Sequence, residues 1–194
     1  MTETAPEVNA APAASPAAES FLHPERMMNR FDIRPGMIVA DFGTGSGHFA
    51  LAAARRVGER GKVYAIDIQK NVLSLIKSKA ALEHLLQVEP IWADLELPQG
   101  SRLHEGSVDF VIISNILFQV TSKPAVLAEA RRILKKGGTM AVLEWDATPF
   151  PAGPPQNLRM PKADVRRLAE TLGFHTAGEF DAGSHHYGLL FTRP

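Results

Sequence analysis

The chain has 194 residues, 45% of them apolar, enough to bury one core without a second domain. Lysine plus arginine equals aspartate plus glutamate at 21 each, so the field of the whole chain offers phosphate backbones no general attraction and does not indicate a nucleic-acid partner. Cysteine is absent, which removes disulfides, thiolate metal sites and cysteine nucleophiles; with no apolar run long enough for a bilayer, the expectation is a cytoplasmic protein without a membrane span.

Residues 1–20 are rich in Ala and Pro, carry acidic residues and lack the basic start and apolar run of a secretory leader, so they read as a disordered tail ahead of one domain at 21–194. Residues 21–34 mix Phe21, Leu22, Met27, Met28 and Phe31 with charges, as a short helix covering the sheet edge or a cofactor would. From Met37 an apolar strand runs into Gly43-Thr44-Gly45-Ser46-Gly47 and then into an alanine-rich helix, one β-α unit. A second strand at 63–67 follows the turn between Gly58 and Gly61, and 71–86 spaces Val72, Leu75, Ile76, Lys79 and Leu82 as an amphipathic helix does.

A weaker third strand falls at 88–92, and 107–114 is almost continuously apolar, as central parallel strands are. Pro124 suits the first turn of a helix at 125–135, whose basic end and following Gly137-Gly138 fit dipole and C-cap chemistry. A fifth strand at 139–145 leads into the proline-rich stretch 146–161, expected to be a loop over the strand ends. A last helix at 162–172 and a hairpin about Ala182-Gly183-Ser184 close the chain. Alternating β and α elements imply a mainly parallel sheet covered on both faces, with ligands outside the carboxyl ends of its strands.

The strongest local signal is Asp41 to Gly47 at a strand-to-helix junction, where glycine lets the backbone approach a ligand and leaves N–H groups to face the crevice. A tight connection alone would use the same glycines. Asp67 tips the balance: it ends the second strand 24 residues beyond Gly43, close to the offset at which an acid holds ribose hydroxyls, although capping the next helix would suit it too. Asp94, after the third strand, is placed to accept from an adenine amino group with Leu95 packed on the ring, or to be an ordinary loop acid. A nicotinamide site is disfavoured because the glycines run G-x-G-x-G rather than G-x-G-x-x-G.

With VADFGTGSGHF, Asp67 and Asp94 in order, the sequence resembles the class I S-adenosylmethionine-dependent methyltransferases over residues 21–194. SVDFVIISNILFQV and ILKKGGTMAVLEW are similar to that family's fourth strand and fifth-strand entry. FLHPERMMNRF, SNILFQV and the proline-rich loop point to the small quinone-biosynthesis (UbiE-type) subgroup. The resemblance implies a Rossmann-like, doubly wound α/β sheet of seven strands. Their order would be third, second, first, fourth, fifth, seventh, sixth, the seventh being antiparallel. It implies S-adenosylmethionine as cofactor, S-adenosylhomocysteine as product, and a cofactor set of Asp41, Gly43, Thr44, Gly45, Gly47, Asp67, Ile68, Asp94, Leu95 and Asn115. The implied reaction is in-line transfer of a methyl group to a small-molecule acceptor by a monomer or homodimer.

GTGSGHFALAAA and VGERGKVYAIDI also look like transfer-RNA adenine methyltransferases, so an RNA acceptor stays open, as does a non-catalytic cofactor-binding subunit. The acceptor-side candidates are Glu144, Arg159, His186 and Tyr187, with His185 a further possible base; the sequence selects none of them as the base. Adjacent strand residues face opposite ways, so His185 and His186 are not expected to act together. His23, His48 and His104 complete no metal constellation, and no metal is expected.

Overall fold

The computed structural model describes residues 22–194; the tail expected at 1–20 and Phe21 lie outside the described residues. The elements run α1 (Pro24–Met28), β1 (Ile38–Phe42), α2 (His48–Val57), β2 (Lys62–Asp67), α3 (Lys70–Leu82), β3 (Val88–Trp92), β4 (Val108–Ser114), α4 (Lys123–Ile133), β5 (Leu134–Trp145), a 3-10 turn (Gln156–Leu158), α5 (Lys162–Thr171), β6 (His175–Asp181) and β7 (His186–Thr192).

One seven-stranded sheet has the order β3-β2-β1-β4-β5-β7-β6. β1 pairs in parallel with β2 and β4, β2 with β3, and β4 with β5, whereas β7 runs antiparallel between β5 and β6. The apolar runs of β1, β4 and β5 are the interior of this sheet, and alternate residues feed two cores. Val39, Ile112, Ala141 and Leu143 pack with α2, α3 and the 22–33 segment. Ala40, Phe42, Val111, Ile113 and Val142 pack with α4 and α5 on the other face. Alanines at 50 and 52 to 54 let α2 lie close against the sheet. A buried polar clamp ties the β3–β4 connection to α4: Glu129 accepts from the Ser101 N–H at 2.9 Å, from the Ser101 hydroxyl, and from Arg132 at 2.7 Å.

Three boundaries differ from expectation. The helix expected across 21–34 is one turn long, with Pro24 at its start and Met27 and Met28 buried. The helix expected at 71–86 stops at Leu82, because His84 takes the left-handed conformation with φ 57° and turns the chain out, leaving Leu82 and Leu86 exposed. The helix expected at 125–135 begins and ends two residues early, and β5 starts at once with Leu134 extended. Gly137 and Gly138 are therefore not a helix cap. They lie in β5, where the Gly137 N–H donates to the Arg193 carbonyl at 2.7 Å and the Arg193 N–H donates to the Gly138 carbonyl at 2.9 Å. Pairing with the last strand outweighs the capping preference of the glycine pair.

Candidate active site

All of the parallel strands end on one edge of the sheet, and antiparallel β7 begins there. That edge collects Asp41 at the end of β1, Asp67 at the end of β2, Asp94 just past β3, Asn115 just past β4, Glu144 near the end of β5, and His186 with Tyr187 at the start of β7.

The glycine turn and the β2 acid form one hydrogen-bonded unit. The Thr44 hydroxyl donates to Asp41 Oδ2 at 2.7 Å, the Gly45 N–H donates to Asp67 Oδ2 at 3.1 Å, and the Gln69 N–H donates to Asp67 Oδ1 at 2.9 Å. The Gly43 and Thr44 N–H groups both donate to the Ile66 carbonyl, and that of Gly47 donates to Thr44. The expectation that the turn leaves its N–H groups to the crevice is thus corrected at these residues: they bond within the protein. What the turn offers instead is close approach. At Gly43, φ +66°, a Cβ would collide with Ile116, whereas at Gly45, φ +49°, it would meet nothing nearer than the Gly43 carbonyl oxygen at 3.9 Å. Gly43 is needed for packing, and Gly45 leaves space on the cleft side. From behind, the Lys79 ammonium donates to the Ser46 carbonyl at 2.9 Å and braces the turn on α3.

Asp67 does not cap α3, whose N-cap is Gln69 without a side-chain bond; it holds the backbone of Gly45 and Gln69, and that is compatible with ligand binding. Two backbone N–H groups occupy part of its carboxylate, and a carboxylate has about four lone-pair positions, so two hydroxyls fit beside them. Asp41 is 2% exposed, and burial pushes its carboxyl up to about 7, with the nearby Asp67 charge adding to the rise. A cationic group on the ligand would recover that cost. Asp94 holds the Glu96 N–H at 2.9 Å and is followed by buried Leu95, while Ile68 stands 57% exposed beside Asp67. Asn115 adopts φ +56°, ties to β5 through its N–H on the Leu143 carbonyl at 2.9 Å, and leaves a buried Oδ1 without a hydrogen-bond partner. Such an orphaned acceptor is what a ligand donor satisfies.

The sequence places Trp92 in a strand and gives it no role at the site. Its indole N–H donates to the Ile68 carbonyl at 2.8 Å, and the Lys70 ammonium lies 4.3 Å from its ring centroid. It thereby fixes the backbone that carries Asp67 and Ile68; an aromatic residue at the strand end opposite Asp67 was the available signal.

On the acceptor side the four candidates divide. The Arg159 guanidinium is 6% exposed and turned into its own loop, donating to the carbonyls of Pro154 at 2.9 Å, Thr148 at 2.9 Å, Phe150 at 3.0 Å and Ala152 at 2.8 Å. It also lies 5.3 Å from the Trp145 ring centroid. It organises the 146–161 loop and is not presented to an anion. Arg159→Lys, which keeps the charge but loses the fork, is expected to leave several of these buried carbonyls without a donor and to lower the melting temperature by several degrees, read by thermal shift. Tyr187 donates its hydroxyl to the Met160 carbonyl at 2.9 Å, and burial pushes its phenol well up, so it keeps its proton. Glu144 is fully buried, accepts the Leu117 N–H at 2.6 Å on Oε1, leaves Oε2 without a partner, and is pushed up to about 7 by burial. His186 is 4% exposed with neither ring nitrogen hydrogen-bonded. Among the described residues no group of three or more His, Cys, Asp or Glu is placed to hold a metal, and no helix is long and apolar enough to cross a membrane.

This sheet order with a glycine turn and two strand-end acids defines the Rossmann-like class of S-adenosylmethionine-dependent methyltransferase folds. A family model described as a methyltransferase domain matches residues 33–180. The chain belongs to that methyltransferase family, and its relatives are UbiE-like. The Bordetella parapertussis ubiquinone/menaquinone biosynthesis C-methyltransferase UbiE is 30% identical over 169 residues, covering 80% of this chain and 64% of the relative. The Bacillus mycoides demethylmenaquinone methyltransferase is 36% identical over 118 residues, covering 60% and 48%. The chain thus spans between about half and two thirds of the length of these relatives. Among solved structures, an S-adenosylmethionine-dependent methyltransferase from Aquifex aeolicus superposes with a TM-score of 0.83 at 25% identity, covering 93% of this chain and 94% of that one.

Proposed function

We propose that the chain binds S-adenosylmethionine and transfers its methyl group to a small, quinone-type or related aromatic acceptor, releasing S-adenosylhomocysteine. The observation that carries the donor assignment is the bonded unit of Asp41, Thr44, Gly45 and Asp67 at the carboxyl edge, with space left on the cleft side of Gly45. The acceptor class is supported by the names of the Bordetella and Bacillus relatives. The chain's balanced charge gives no support to a nucleic-acid acceptor.

In this reading Asp67 accepts the ribose hydroxyls, Asp94 the adenine amino group, and Ile68 and Leu95 flank the base. The carboxylate of Asp41 and the Oδ1 of Asn115 face the aminoacyl end. The bound donor supplies a methyl group already made electrophilic by its sulfonium, so no side-chain nucleophile is needed. The chain's contribution is to align acceptor with methyl and to keep water out, and the 146–161 loop over the strand ends serves the second task.

Calorimetry and thermal shift with S-adenosylmethionine, S-adenosylhomocysteine and NAD test the donor assignment. Micromolar-order binding of the first two with a raised melting temperature, and no response to NAD, is the expected result. Stabilisation by NAD alone would overturn it.

A further inference from the structure

His186 is a polar group that the fold does not use. Register with Trp145 places it at the carboxyl edge, and alternation along β7 puts it with Leu190 on the face of the sheet shared by Asp41, Ala141 and Leu143. Its ring lies 4.2 Å from that of Trp145 at an interplanar angle of 42°, and next to it Phe150 and His185 are stacked at 3.5 Å. A leucine or phenylalanine would fill this place with nothing to desolvate, whereas the imidazole buries a donor and an acceptor with no partner for either. Arg159 is committed to the carbonyls of its own loop, and Tyr187, which faces the other side of the sheet, donates to the Met160 carbonyl. Glu144 stands opposite Tyr187 on the other face of the sheet.

Burial, reinforced by the charges of His185 and Arg159, pushes the His186 pKa down to about 4, so at neutral pH the ring is uncharged. A neutral imidazole offers one N–H and one lone pair, the complement of a hydroxyl group. Beside it the half-buried Phe150–His185 pair suits a flat apolar body, whereas the Trp145 ring is already covered by Gly153 and Arg159.

Resting on the methyl-transfer reading above, we infer that His186 is the residue that hydrogen-bonds an oxygen of the acceptor, which is a planar aromatic molecule bearing a hydroxyl. The bond fixes the ring's orientation relative to the methyl group, and the Phe150–His185 pair covers one of its faces.

The test uses two probes of nearly equal shape, 2-naphthol and naphthalene, titrated into the whole chain with and without saturating S-adenosylhomocysteine. Wild type is expected to bind the naphthol about tenfold more tightly than the hydrocarbon, the worth of one buried neutral hydrogen bond. His186→Leu should bring the two within twofold, while His186→Gln keeps part of the preference. The affinity for S-adenosylhomocysteine should stay unchanged in both variants, and the leucine variant should melt no lower than wild type. A wild type without preference, a leucine variant that keeps it, or a leucine variant that melts well below wild type would each overturn the assignment. Failure of the donor reading would show separately, as wild type that does not bind S-adenosylhomocysteine, and the titration without it still judges His186.

Discussion

Replacing Asp67 by alanine is expected to weaken S-adenosylmethionine binding by two to three orders of magnitude, roughly the worth of two hydrogen bonds to a charged acceptor. The same change removes the acceptor of the Gly45 and Gln69 N–H groups, so the free protein should also lose about 1–2 kcal/mol of stability, the cost of two backbone donors left without their acceptor. Asp67→Asn separates the two effects, because its amide oxygen still accepts one backbone N–H but the negative charge is gone. Calorimetry on both variants beside thermal melts decides the matter. If alanine lowers the melting temperature while leaving donor affinity within threefold of wild type, Asp67 only holds the backbone of its own turn.

The second large effect concerns pH. Asp41 and Glu144 are both buried and both pushed up to about 7, against ordinary carboxylate values near 4. Between those limits the folded chain holds protons that the unfolded chain has released. Stability from these two groups is therefore fully present below about pH 4 and is lost as pH rises towards 7. Each group contributes to this slope by up to about 4 kcal/mol across the window, an upper figure since the protein relaxes around a buried charge. Asp41→Asn should flatten part of the slope and melt several degrees above wild type at pH 8.

Donor binding should run the other way. A cationic ligand beside Asp41 favours the carboxylate, so wild-type affinity is expected to fall as pH drops from 7 to 5, up to tenfold per unit, with proton release on binding at pH 6. The asparagine variant should bind more weakly at pH 8 and show less dependence on pH. Equal pH dependence in both proteins would remove Asp41 from the donor site.

Much of this arrangement was legible in the sequence because it follows from short-range chemistry. The strand-turn-helix at Asp41 to Gly47 and the near-continuous apolar run of β4 come through clearly. So does the antiparallel return of β7, signalled by Ala182-Gly183-Ser184. What escaped depends on distant partners. Nothing local says that Gly137 and Gly138 pair with Arg193 rather than cap α4, or that His84 ends α3 with a left-handed turn. The fate of Arg159 is of the same kind. A loop arginine is ordinarily solvated, and only the folded path of residues 148 to 154, which surrounds the guanidinium with carbonyl groups, takes this one inside. Trp92 escaped because its role rests on a bond to a carbonyl from a neighbouring strand's end.

The loop closed by Arg159 carries its own interior. Its carbonyls are answered by a side chain from its own far end, and its inner surface rests on Trp145, against which Gly153 fits so closely that a Cβ there would strike the indole ring at 2.7 Å. Residues 147 to 159 consequently form a cassette held largely by its own contacts. Exchanged whole between related proteins, such a segment would carry a different acceptor wall onto an unchanged donor cradle, and substrate choice could diversify without the fold being renegotiated.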